Sequence, residues 1–231
     1  MQTETGRVAL VAGASGMVGA ELVRALAGGG EYRRVIAVTR RPLSFEMTRL
    51  ANRIIRFETL ETDLQGLGCD DAFCCLGTTL RAAGSAQVFR AVDHDLVLRF
   101  ARFAQAAGAR TLVVVSAAGA APGARNFYLK VKGETELALE ALRFRSLHLM
   151  QPSLLLGPRS QWRTAEALGR LLMPLCYPLL LGRYERWRAI PGRTVAAAMR
   201  AAALSGRTGV YRHTWRELQS LGRPAPAPAR V

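Results

Sequence analysis

A chain of 231 residues, half of them apolar, can bury the core of one α/β domain with insertions. Its four cysteines, Cys69, Cys74, Cys75 and Cys176, form no C-x-x-C pair and only three histidines accompany them, which argues against a zinc site or a disulfide framework and suits a reducing compartment. The net charge of +15 is uneven: from Ala141 onward fifteen arginines stand against Glu166, Glu185 and Glu217, which points to an anionic partner or to a solvated arginine-rich surface, while no basic-aromatic ribbon or helix-turn-helix pattern speaks for nucleic acid.

That thiol usage makes a reducing cytoplasm the expected location; the first residues, MQTETG, are polar and run straight into an apolar strand, unlike a secretory signal. RVALVAGASGMVGAELVRALAGGG reads as strand, glycine turn and helix, the helix stopped by Gly28–Gly30. RRVIAVTRRP, NRIIRFETLE and DAFCCLGTT read as strands two to four, the last apolar on both faces as a buried parallel strand is. A long helix follows, capped by Ser85 and closed by Gly108; then come strand five, RTLVVVSAAGA, and a helix from Asn126. Strand six lies within SLHLMQPSLLLGP. Alternating strands and helices predict an α/β, doubly wound parallel sheet covered on both faces, with a small C-terminal extension on the substrate side. A single domain over residues 1–221 is expected, with substrate-side elements mainly at 157–190 and a disordered Pro/Ala tail at 222–231. Residues 168–182 are the most apolar stretch, too short and too interrupted by Arg170, Pro174 and Pro178 to span a membrane. They read as helix and loop near the substrate pocket; the rival reading is contact with a membrane surface or protein partner through 163–188, and a homodimer stays open.

The turn GASGMVG puts glycines at 13, 16 and 19 between a strand and a helix, the context that gives the pattern its meaning. Gly13 permits the tight turn, Gly16 lets backbone approach a pyrophosphate, and Gly19 lets the helix pack close. Ala14, Ser15, Met17 and Val18 complete the expected dinucleotide turn, whose free N–H groups and helix dipole favour an anion. Where an acid would select NAD through the ribose 2′-hydroxyl, the second strand ends in Arg40 and Arg41, which suit a 2′-phosphate and favour NADP, with NAD as the alternative if these arginines only face solvent.

Only two of the 32 basic residues are lysines, Lys130 and Lys132, two positions apart in NFYLKVKGETE. Tyr128 and Lys132 share a helix face, and Ser116 ends strand five at the carboxyl edge where ligands bind in such sheets. Together they form a candidate catalytic set for a carbonyl or alcohol substrate. Tyr128 would exchange the proton, Lys132 would lower the phenol pKa and reach the nicotinamide ribose, and Ser116 would hold the substrate oxygen. A compact ammonium suits that place where the wide fork of arginine does not.

The motifs GASGMVG, FCCLGTTLRAAGS, VVVSAAGA, FYLKVKGETE and LMQPSLLLGPR, taken in order over about residues 7–160, resemble the atypical short-chain dehydrogenase/reductases and, within them, the Tat-interacting-protein-like oxidoreductase branch. The resemblance implies a three-layer Rossmann-type fold and NADP(H) as cofactor. It implies that Leu76, Gly77 and Thr78 line the cofactor groove, that Pro152 lies near the nicotinamide, and that Ser116, Tyr128 and Lys132 act together. Many relatives have Arg before that proline where this chain has Gln151, and related families carry a relay Asn on the long helix where AVDHDLV offers Asp93, to which no relay role is given. The expected function is NADP(H)-dependent hydride transfer between nicotinamide and a carbonyl or alcohol; the alternative is an NADP(H)-binding redox sensor acting through a partner.

Overall fold

The protein is described here from a computed structural model covering residues 6–156 and 188–223. Its strands are β1 (Arg7–Ala12), β2 (Tyr32–Thr39), β3 (Leu50–Ile54), β4 (Asp71–Cys74), β5 (Thr111–Val115), β6 (Ser146–Met150), β7 (Leu155–Leu156), β8 (Ile190–Pro191) and β9 (Gly209–His213). Seven of them form one sheet in the order β3-β2-β1-β4-β5-β6-β9, every neighbour pair parallel. β7 and β8 form a separate parallel pair. The order reverses at β1 and β4, so the crevice outside their carboxyl ends is the ligand position of a doubly wound sheet.

Both faces of β1, β4, β5 and β6 are buried, which is why these strands carry apolar residues on both faces. In β1, Val8, Leu10 and Ala12 join one core with α2 (Leu60–Asp63), α5 (Leu96–Ala106) and Leu139 of α6 (Phe127–Ala141). Ala9 and Val11 join the other with α1 (Met17–Gly29), α7 (Gly192–Leu204) and Leu218 of α8 (Trp215–Leu221). The result is three layers, as the sequence predicts.

Local signals set the helix ends. The Asn126 side chain accepts from the Leu129 N–H at 3.1 Å and starts α6, and Ser85 does the same for Val88 at 3.1 Å to start α4 (Ala86–Arg90). α4 and α5 do not form one regular helix: a π-helical turn over Ala91–Asp95 joins them. β9 is a seventh strand of the main sheet that the sequence reading misses. It is an edge strand pairing only with β6, and only His213 within it is buried. The apolar stretch 168–182 lies outside the described residues, as does the expected tail from residue 224 on and all but the last residue of 163–188. No helix among the described residues is long and apolar enough to cross a membrane.

β6 and β9 bring two histidines together in the core. Ser146 Oγ lies 2.9 Å from His148 Nε2, and His148 Nδ1 lies 2.9 Å from His213 Nε2, with the two rings and Tyr211 stacked. Burial first, then His213 and the Arg207 guanidinium, push the His148 pKa from 6.5 down to about 4. Burial lowers His213 as well. Both therefore contribute stability above pH 6.5 as neutral rings, and the unfolded chain takes up their protons first as pH falls. The melting temperature should drop steadily between pH 6.5 and 4, and His148→Asn should flatten that drop in a circular dichroism melt series.

Candidate active site

The turn after β1 folds as its glycines require. Gly13 has φ +77, and a Cβ there would sit 2.5 Å from the Cys75 carbonyl carbon. A Cβ on Gly19 would fall 2.2 Å from the Gly13 carbonyl oxygen, so α1 can approach the turn only without one. Gly16 caps α1 with no side-chain hydrogen bond, so Met17 and Val18 in the first turn are left to offer their N–H groups outward. A cavity of about 370 Å³ opens beside them, lined by Ser15, Gly16, Met17, Leu156 and Arg193. Ala14 is buried and Val18 packs into the core, so these two shape the turn from below. Arg193 is a cation that sequence reading does not locate, because its distance in the chain hides its place on this wall.

Arg40 and Arg41 follow the end of β2 and are exposed. Asn52 of β3 pins the segment that carries them, donating to the Ala37 carbonyl at 3.1 Å and to Thr39 Oγ1 at 2.7 Å while accepting from the Leu43 N–H at 2.9 Å.

The loop after β4 passes over the turn: the Cys75 N–H donates to the Ala12 carbonyl, Leu76 is buried, and the Thr78 N–H donates to Asp93 Oδ2 at 2.8 Å. Asp93 lies in the π-helical turn and is fully buried; its Oδ1 forms an ion pair with Lys132 Nζ at 2.8 Å. The Thr135 hydroxyl reaches the Asp93 carbonyl at 3.0 Å, tying α6 to the widened turn. A Cβ on Gly77 would stand 3.2 Å from Asp93 Oδ1 and 3.6 Å from Lys132 Nζ, so the glycine keeps this pair at the wall of the groove. An ammonium has three N–H donors, and Asp93 engages one side of it, which leaves Lys132 able to reach a ribose hydroxyl. Uncapped amides, a Cβ-free cradle and a poised lysine together fit a dinucleotide.

Tyr128 lies one turn before Lys132 on α6, its ring 5.5 Å from that of Phe89. The expected lowering of its pKa by Lys132 does not win. Burial raises the phenol above its ordinary 10, the Asp93 carboxylate adds to the rise, and Lys132 opposes it. Tyr128 is thus a protonated phenol at neutral pH.

Ser116 is buried immediately after β5, and its hydroxyl donates to Glu136 Oε1. Glu136 also accepts from Gln151 Nε2 at 2.9 and 3.1 Å and from Arg212 Nε at 3.2 Å. The residue at 151 therefore supplies a neutral donor, and β9 supplies the cation through Arg212. Glu136 is one turn beyond Lys132 and two beyond Tyr128, so the described contacts join Ser116 to Glu136 rather than to the tyrosine. Ser116, Lys132, Asp93 and Glu136 nevertheless line one internal cavity of about 10 Å³. Pro152 is buried, and its carbonyl accepts from the Ala118 N–H at 2.9 Å, fixing the loop beside Ser116. Lys130, the other lysine, is exposed.

The profile of the NAD dependent epimerase/dehydratase family matches residues 9–139, from β1 to near the end of α6. The chain belongs to that family. It is 36% identical to protein HTATIP2 of Rattus norvegicus over 193 residues, 82% of this chain and 78% of the relative, which bears out the Tat-interacting-protein-like branch. Protein FMP52, mitochondrial, of Saccharomyces cerevisiae is 33% identical over 190 residues, covering 79% and 80%. The fold is similar to that of MoeE5 in complex with UDP-glucose and NAD, with TM-score 0.65 and 20% identity over 94% of this chain and 81% of that one. The fold is thus that of an NAD-dependent epimerase/dehydratase-type oxidoreductase. The expectation of a cytoplasmic location is overturned, because the FMP52 relatives are named mitochondrial. Unpaired thiols exclude only oxidising compartments, so free Cys69, Cys74 and Cys75 never distinguished cytoplasm from other reducing spaces.

Removing one partner of a buried pair strands the other charge. Asp93→Ala should lower stability by about 3–5 kcal/mol in urea denaturation, whereas Glu21→Gln, which breaks the exposed pair with Arg24, should cost less than about 1 kcal/mol.

Proposed function

We propose that the protein is an NADP(H)-dependent oxidoreductase that interconverts a carbonyl and an alcohol. The observation that carries this reading is the buried Asp93–Lys132 pair, held at 2.8 Å beside Gly77 on the helix face that also bears Tyr128. A bound nicotinamide supplies hydride to the carbonyl carbon, or takes it up in reverse. Tyr128 donates the phenolic proton to the carbonyl oxygen as charge develops there, and recovers a proton from solvent. Lys132, oriented by Asp93, binds the ribose hydroxyls and stabilises the transient phenolate. Arg40 and Arg41 grip the 2′-phosphate, and the turn from Gly13 to Gly19 carries the pyrophosphate, with Leu76, Gly77, Thr78 and Pro152 walling the groove. The raised phenol pKa suits the reductive direction, because the proton to be donated is present at neutral pH.

The second reading is an NADP(H)-binding regulator acting through a partner. One observation favours it: the Ser116 hydroxyl already donates to Glu136, so toward a ligand it presents an acceptor rather than the donor that an oxyanion needs. Tyr128→Phe separates the two readings. It should cut turnover by about 10²–10⁴-fold without changing NADPH affinity if Tyr128 is the acid. A carbonyl reduction rate unmoved by this substitution would transfer the weight to the regulator.

Carbonyl reduction by the native protein should hold level from pH 6 to about 9, and alcohol oxidation should climb with pH as the phenolate forms. In fluorescence titrations NADPH should bind more tightly than NADH. The double substitution of Arg40 and Arg41 by Ala should weaken NADPH by about ten- to a hundredfold and leave NADH alone. Equal binding of the two cofactors by the native chain would remove the 2′-phosphate assignment.

A further inference from the structure

The sheet has a second concave site, at the edge opposite the glycine turn. It lies where β1, β2, β4 and β5 begin, about 20 Å from the carboxyl edge at a strand rise of about 3.3 Å per residue. A cleft of about 920 Å³ opens there between the sheet and the segment that joins α2 to β4. That volume exceeds the 370 Å³ beside the turn and falls in the range of small-molecule sites.

The chemistry of its wall is one-sided. Arg34, Arg53 and Arg110 face the cleft, and none of the three guanidinium groups has a hydrogen-bond or ion-pair partner among the described residues. Arg7 and Arg33 also line it, the first paired with Asp71 and the second donating to the Gly6 carbonyl at 3.0 Å. The two carboxylates on the wall are already engaged: Asp70 accepts from the Val8 N–H at 2.7 Å and Asp63 from the Thr59 hydroxyl at 2.6 Å. The loop adds backbone donors. Its own hydrogen bonds use the amides of Gln65, Leu67 and Cys69, and leave those of Gly66 and Gly68 unspent. Gly66 has φ +74 with open space where a side chain would stand. The floor is apolar, made by Val8, Ile36 and Leu64.

We infer that this cleft binds a small phosphoanion through its diphosphate group. Arg34 and Arg110 flank the concavity at the level of Val8, with Arg53 farther along near the end of β3, and a multiply charged phosphate matches the planar donor geometry of the first two. Unspent glycine amides are the backbone complement of such a group. The diphosphate can belong to a nucleotide or to an inorganic ion, since the cleft of about 920 Å³ is larger than a diphosphate needs. The site is independent of the oxidoreductase reading, because no residue of the glycine turn or of the Asp93–Lys132 pair lines it.

The test is calorimetric titration of the full chain with inorganic pyrophosphate and, separately, with ADP, at about 50 mM and about 200 mM salt and with NADPH present throughout. Pyrophosphate should bind, more weakly at the higher salt. The double variant Arg34→Gln with Arg110→Gln should lose at least tenfold in affinity, and Arg125→Gln, remote from the cleft, should lose less than twofold. Circular dichroism confirms that each variant is folded. ADP binding tighter than pyrophosphate supports a nucleotide on the apolar floor, and equal affinities support the diphosphate alone. Failure of the native chain to bind either probe, or equal loss in the cleft variant and in Arg125→Gln, overturns the proposal.

Discussion

The site depends on one buried ion pair. Taking Asp93 and Lys132 out of water costs several kcal/mol for each charge, and their attraction offsets that only if the remaining polar atoms are satisfied. On the Asp93 side Oδ2 receives the Thr78 N–H and the main-chain carbonyl receives the Thr135 hydroxyl, while Lys132 keeps N–H donors free for a ligand. The pair therefore fastens three elements at one point, namely the loop after β4, the π-helical turn and α6. Gly77 packs directly against it. This also accounts for a lysine in a chain that writes nearly every other cation as arginine. Lys132 meets a single carboxylate oxygen in a space bounded closely by Gly77, which a point charge on a slender stem fills and a planar five-donor fork does not.

A second carboxylate, Glu136, sits one turn along the same helix and organises the other half of the site. It gathers Ser116, Gln151 and Arg212, from three different strand ends, around one buried charge. The two halves differ in what they can do for a ligand. The Lys132 half has donors left over, whereas the Ser116 half spends its hydroxyl proton internally. Burial acts on both: it holds the Tyr128 proton in place against the pull of Lys132, and it makes the Ser116–Glu136 contact strong by removing water. A protonated tyrosine beside a poised lysine is a proton donor first and a base only at alkaline pH.

The elements that sequence alone makes legible are those with strong periodicity and sharp punctuation. β1, the glycine turn and α1 could be read because a doubly buried strand, three spaced glycines and a positive-φ stop are all local signals. β9 could not, since GVYRH is half exposed at the sheet edge and has neither run nor alternation. The π-helical turn was hidden because AVDHDLV is helical by any local measure. The role of Asp93 did leave a trace. Phe89, Asp93, Val97 and Phe100 follow one helical stripe, and all four are buried. An acid in an apolar stripe demands a buried cation, and Lys132, one turn before Glu136, is the lysine that answers it. The direction of the Tyr128 shift was beyond local reading, because it is decided by packing from Phe89 on another helix. The compartment was misread for a different reason: thiol usage reports redox conditions and not an address.

The two ends of the parallel sheet present positive charge by different physics. At the carboxyl edge the charge acceptor is backbone: uncapped amides at the start of α1, brought close because Gly13 and Gly19 carry no side chain. These partial charges are fixed and need no side-chain ordering. At the amino edge β1 begins with Arg7, Arg34 is the third residue of β2 and Arg110 directly precedes β5, and the parallel arrangement brings them to one rim. Full guanidinium charges there are mobile, hydrated and screened by salt. Backbone cradles select for shape and tolerate ionic strength; arginine rims attract at long range and yield to it. A parallel sheet with all its strand starts on one side keeps these two kinds of cationic surface at opposite ends of the sheet.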